Sequence, residues 1–177
     1  MSYSNYFSNK ISKVAIAKST TALTCMLGLL ITSEALAQTT TTGSMAVSTT
    51  VSSSCTVAAA NMTFAAYTGA AITATSVITA NCTNSTTFTI SFNDTPDSSP
   101  AYYLVRSGGS SSTESDRINV TFTNTAGATM TNATATITGT GTGSTATVGT
   151  ITGSIAASQT GKTAGTYSKT MTLNLVY

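Results

Sequence analysis

The sequence predicts an all-β fold, a sandwich of short antiparallel strands, and three observations carry that reading. Thr, Ser, Ala and Gly dominate the chain while Glu, Lys and Gln are scarce, a composition that favours strands over helices. Apolar residues recur with period two. In "TTFTISFN" (86–93) Phe88, Ile90 and Phe92 share one face, and in "RINVTFTN" (117–124) Ile118, Val120 and Phe122 do the same. Turn-rich stretches separate such runs: "NDTPDSSP" (93–100), "SGGSSSTESD" (107–116) and "GKTAG" (161–165).

Taken in order, residues 1–37 read as an export signal. Lys10, Lys13 and Lys18 precede an apolar "ALTCMLGLLI" (22–31), and "ALA" (35–37) supplies small residues for cleavage before Gln38. The apolar run is too short to span a membrane as a helix. Cys25 follows Thr24, not the small residue a lipidation site wants, and is expected to leave with the signal. Residues 38–177 then suit one domain, with 38–50 an N-terminal extension and 51–177 the folded part.

Strands are expected in "VSSSCTVA" (51–58), "ITATSVITANC" (72–82), "TTFTISFN", "AYYLV" (101–105), "RINVTFTN", "ATATITG" (133–139), "STATVGTITGSI" (144–155) and "TYSKTMTLNLVY" (166–177). Between 107 and 150 the Gly/Thr/Ala-rich sequence leaves the register open. Cys55 and Cys82 are an even pair in an exported chain and read as one disulfide, worth roughly 3.5 kcal/mol by loop closure. Six N-x-[ST] sequons, at Asn61, Asn81, Asn84, Asn93, Asn119 and Asn132, stem from the abundance of Thr more readily than from glycosylation.

Charge narrows the function. Beyond residue 37, Arg106, Arg117, Lys162 and Lys169 balance Asp94, Asp97, Glu114 and Asp116, so this part is neutral. No basic cluster exists for nucleic acid. The chain has no histidine to serve as a base or metal ligand. Asp94 and Asp97 sit in a Pro-flanked turn and read as turn acids, and "GTGTGS" (139–144) opens no phosphate-binding helix. No enzyme, cofactor, metal or small-molecule substrate is expected. Tyr67, Tyr102 and Tyr103 could line a shallow binding site but read better as core or sheet-face aromatics.

The two ends of the sequence are complementary. "MTLNLVY" (171–177) alternates Met171, Leu173, Leu175 and Tyr177 against Thr172, Asn174 and Val176, and no strand comes after it to lie beside it. In the leader "GSMAVSTTVSSSC" (43–55), Met45, Val47 and Val51 recur on one parity. Burying those three is worth about 5–8 kcal/mol, a large share of the roughly 5–15 kcal/mol that stabilises a domain. One molecule's leader filling another's gap, donor-strand complementation, satisfies both ends. The alternative is that 45–51 simply continues the first strand within its own chain.

"VSSSCTV" (51–57), "MTFAAYTG" (62–69) and "ATSVITANCTNSTTFTISF" (74–92), with "ITGSIAASQ" (151–159) and "GTYSKTMTLNLVY" (165–177), resemble the spore coat U-type domain found in subunits of archaic chaperone–usher pili of Gram-negative bacteria. The resemblance implies an incomplete immunoglobulin-like β-sandwich that receives its missing strand first from a periplasmic chaperone and then, at an outer-membrane usher, from a neighbouring copy or related pilin. By position, Met45, Val47 and Val51 match the donor segment, and Met171, Leu173, Leu175 and Tyr177 the strand at the chaperone groove. It also implies passage through the periplasm to a surface fibre supporting adhesion and biofilm formation. Two departures stand out: Lys169 where many relatives carry Asp, and a middle region without the expected Trp. The competing functions are a tip adhesin and a secreted, self-complemented sandwich that binds a ligand.

Overall fold

Period-two alternation becomes paired strand at most of the expected places. The computed structural model describes residues 38–177, so the export signal expected at 1–37 lies outside the described residues. Among the described residues nine strands succeed one another: β1 (Cys55–Ala59), β2 (Ile72–Cys82), β3 (Thr87–Phe92), β4 (Tyr102–Arg106), β5 (Arg117–Thr123), β6 (Ile137–Thr140), β7 (Thr145–Ile155), β8 (Tyr167–Ser168) and β9 (Leu173–Val176). A 3-10 turn, Glu114–Asp116, precedes β5. Among the described residues no helix is long and apolar enough to cross a membrane.

One sheet has the order β1-β2-β7-β5-β4-β8 and the other β6-β3-β9, and every pairing is antiparallel. The run β1-β2-β7-β5 reproduces the A-B-E-D sheet of an immunoglobulin-like sandwich, and β3-β9 supplies C and F. Among the described residues no G strand lies beside F, so the fold is an incomplete immunoglobulin-like sandwich.

The inward faces are the ones the alternation picks out. Ile78, Ala80 and Cys82 of β2, Phe88, Ile90 and Phe92 of β3, and Ile118, Val120 and Phe122 of β5 are all buried. They meet Tyr102, Met130, Ile137, Ile151 and Ile155 in one core. At its centre the rings of Phe92, Tyr102 and Phe122 contact one another at centroid distances of 5.3–5.7 Å in tilted or edge-on geometry. Tyr102 is fully buried because its hydroxyl donates to the Asp94 carbonyl at 3.0 Å. Cys55 and Cys82 lie opposite each other in the β1/β2 register and are disulfide-bonded.

Two expected strands change shape. The run 166–177 is not one strand: β8 pairs with β4 in the larger sheet, β9 pairs with β3 in the smaller, and residues 169–172 carry the chain between them. The first strand begins at Cys55, where pairing with β2 begins, and residues 51–54 are exposed and outside it. In the Gly/Thr-rich middle, only Ile137–Thr140 forms a strand between β5 and β7, because Asn124 and Thr131 spend their side chains on local turns.

Phe122 touches both other rings of the central cluster, so Phe122→Ala should cost roughly 3–5 kcal/mol in a urea denaturation series. A change under about 0.5 kcal/mol, the range of ordinary surface substitutions, would place the packing centre elsewhere.

Candidate functional site

An open groove runs along the sandwich where the missing strand would lie. One wall is the segment Ala59–Tyr67 and the other Lys162–Leu173. Two adjoining cavities of about 490 and 820 Å³ make up the groove, sharing Met62, Thr63, Phe64, Leu104 and Lys169. Its floor is apolar, formed by Ile78, Phe92, Phe122 and Ile151 in one part and by Ile72, Ile118 and Ile155 in the other.

The first wall is extended but unpaired. Ser76 donates its hydroxyl to the Ala60 carbonyl at 2.6 Å, and the Ala60 amide bonds to Val77. From Asn61 to Thr68 no backbone–backbone hydrogen bond occurs among the described residues. Met62 and Phe64 nevertheless alternate inward with Thr63 and Ala65 outward, as in a strand. They pack over Gly153 of β7, where a Cβ would sit 2.6 Å from the Met62 sulfur and 2.7 Å from Phe64 Cζ. Glycine at that position is what lets the wall approach the floor. At its end, Tyr67 donates to the Ala156 carbonyl and accepts from the Gln159 amide, both at 2.9 Å.

The second wall is braced from behind. Lys162 meets Glu114 at 2.7 Å, and Glu114 also takes Arg117 at 2.6 Å. Arg106 pairs with Asp116 and Lys169 with Asp97, each at 2.7 Å. The Thr163 amide bonds to the Ser115 carbonyl, the Ser107 amide to Thr166, and the Asn93 amide to Thr172. Asp94, whose carboxylate accepts from the Thr172 amide, fixes the crossing between sheets. Exposed ion pairs contribute little singly, but here they share partners with backbone hydrogen bonds and fix a path that has little ladder of its own. β9 continues this wall and pairs with β3 along one edge; its first residue, Leu173, lines the groove, and the rest of the strand runs beside β1 with its other edge unpaired among the described residues.

The acids of the brace are held charged. The Lys162 ammonium, aided by Arg117, keeps Glu114 below the usual carboxylate range, and Arg106 does the same for Asp116. Burial works against the charge of Asp97, but hydrogen bonds from Lys169 and the Tyr103 amide outweigh it and hold its carboxyl low as well.

Of the residues singled out from sequence, Met171 and Leu173 line the groove, Leu175 packs on the core from β9, and Tyr177 is 59% exposed. Met45, Val47 and Val51 are 84%, 81% and 78% exposed. Tyr102 belongs to the core, while Tyr67 and Tyr103 are half-buried. Asp94 and Asp97 do more than solvate a turn, since they tie the 93–97 loop to the second wall. Sequence reasoning missed the first wall as an element. Its signal was present in the alternation of Met62 and Phe64, within a block too short and Ala-rich to score as a strand.

Because the three carboxyls are depressed in the folded protein, their stabilisation is full above the ordinary carboxylate range and is lost as pH falls through the lower folded values. Thermal unfolding between about pH 7 and pH 3 should therefore show a falling midpoint below about pH 4. Asp116→Asn should flatten part of that fall. A midpoint independent of pH through this window would show that the ion pairs do not hold the wall.

Comparison with known proteins identifies the family. A chain from a solved chaperone–tip adhesin complex, described as vital for synergistic activation of CFA/I fimbriae biogenesis, aligns over 67% of this chain at 16% identity, with a TM-score of 0.42. The alignment covers 40% of that chain's own length. No curated protein sequence matches. The profile of the spore coat protein U domain matches residues 41–174, nearly all of the described sequence, and the chain belongs to that family.

Proposed function

We propose that the chain is a structural pilin that polymerises by donor-strand exchange into a surface fibre, supporting adhesion and biofilm formation. One observation carries the reading: an apolar groove with an unpaired backbone edge on each wall, in a chain whose leader holds the exposed period-two set Met45, Val47 and Val51. A strand laid in the groove would run between residues 61–67 on one side and the 169–173 segment, where β9 begins, on the other while its apolar side chains cover the floor. Left empty, such a groove is an aggregation hazard, which accounts for a periplasmic chaperone lending a strand until an outer-membrane usher exchanges it. The role requires no catalytic group, and the candidate acids Asp94 and Asp97 are committed to holding the wall.

The test is electrophoresis in SDS of material sheared from expressing cells, with and without boiling. The reading predicts a ladder of multimers that collapses to one band on boiling. Met45→Ser together with Val47→Ser removes roughly 1.5–3 kcal/mol of burial per site and should shorten or abolish the ladder, whereas Met45→Leu should preserve it. A monomer in both lanes despite good export would contradict the fibre and favour a self-complemented secreted domain.

A further inference from the structure

We infer that Thr49 of the incoming donor segment is received by Lys169 at the waist of the groove, and that this one polar contact selects the register of the exchanged strand. This rests on the strand-exchange reading and adds to it the pair of residues that decides which alignment is accepted.

The apolar set of the leader has a polar gap. On the parity of Met45, Val47 and Val51 the intervening residue is Thr49, which is exposed like its neighbours. Val47 and Val51 lie four residues apart, about 13 Å in an extended strand, and Thr49 falls midway between them.

The groove floor repeats at the same interval. Ile151 and Ile155 of β7 are buried and four residues apart, as are Phe122 and Ile118 of β5. Ile151 and Phe122 belong to one section of the groove, Ile155 and Ile118 to the other. Between the two isoleucines β7 carries only Gly153 inward, with Met62 and Phe64 lying over it. Lys169 shares the inward parity of Met171 and Leu173 on the second wall and lines both sections. Two apolar stations therefore flank one ammonium in the groove, as two valines flank one hydroxyl on the donor.

Lys169 has hydrogen-bonding capacity to spare. An ammonium carries three donors, and Asp97 Oδ2 at 2.7 Å is its one hydrogen-bond partner among the described residues. The nitrogen also lies 5.7 Å from the centre of the Tyr102 ring, and the side chain keeps 22% of its surface exposed. A strand laid over it removes that water. An apolar side chain there leaves N–H groups of a charged residue unmatched, whereas a threonine oxygen accepts one of them. Lys162, the other lysine of the groove, already donates to both the carboxylate and the carbonyl of Glu114, at 2.7 and 2.8 Å.

Register follows from this match. Sliding the donor by one residue turns its apolar set outward. Sliding it by two, either way, brings Val47 or Val51 against the ammonium and carries Thr49 onto an apolar station. The alignment with Thr49 at the waist avoids both penalties, and it does so whichever way the donor runs.

Variants of the full chain, assembled into fibres, test this through the half-life of the SDS-resistant ladder at one temperature below boiling. Thr49→Val matches the shape and adds apolar surface, yet should shorten the half-life about tenfold or more, through loss of a hydrogen bond to a charged group. Thr49→Ser keeps the hydroxyl and should shorten it no more than about fourfold, the loss of one methyl. In a Lys169→Met background, Thr49→Val should no longer shorten it. Should Lys169→Met block export, the order of the two position-49 variants decides alone. Thr49→Val fibres outlasting Thr49→Ser fibres, or an undiminished loss in the Lys169→Met background, would overturn the contact while leaving strand exchange standing. Absence of the ladder from the unmodified protein would remove both.

Discussion

Backbone hydrogen bonding along one missing strand governs the rest of this molecule. β9 offers donors and acceptors on an edge that no other part of the described chain pairs, and residues 61–68 do the same across the groove. Buried backbone groups without partners are costly, and the floor between these edges is apolar. The sandwich is thus built around a strand it does not itself place there. That single omission leaves an apolar floor open beside an unpaired strand edge.

The two walls solve different problems. The first is held through its side chains, with Met62 and Phe64 resting over Gly153 and Tyr67 tied to the 156–159 turn. Its backbone is free to accept a ladder. The second has to change sheets within a few residues, from β8 to β9, and does so with little ladder of its own. Each of the four basic residues beyond position 37 is spent there or beside it, paired with Asp97, Glu114 or Asp116. In so charge-poor a chain, that concentration marks the wall as the place where packing alone did not suffice. Lys169, at the junction of the two groove sections, is part of this brace through its pairing with Asp97.

Much of this was legible in the residues. Strands β2, β3, β5 and β7 came out close to their observed bounds because each buries one face and alternates cleanly, and the Cys55–Cys82 bridge was implied by an even count in an exported chain. The sheet change at 169–172 was not legible. Alternation from Met171 to Tyr177 reads the same whether the chain continues one strand or moves to another, since period two records facing and not partnership. The brace was hidden for a similar reason: Asp94 and Asp97 in "NDTPDSSP" look like any turn acids until the fold brings Lys169 and Thr172 beside them. The short wall 61–67 carried a two-residue apolar signal, too little to separate a strand from a loop.

The most direct measurement of the central claim is amide hydrogen exchange of the purified protein with and without a synthetic peptide of residues 41–53. The account predicts slowed exchange on both walls, at 61–67 and at 171–176, and no such protection from a peptide with Ser in place of Met45, Val47 and Val51. Unchanged exchange, or protection confined to the outer edges at β6 or β8, would contradict it.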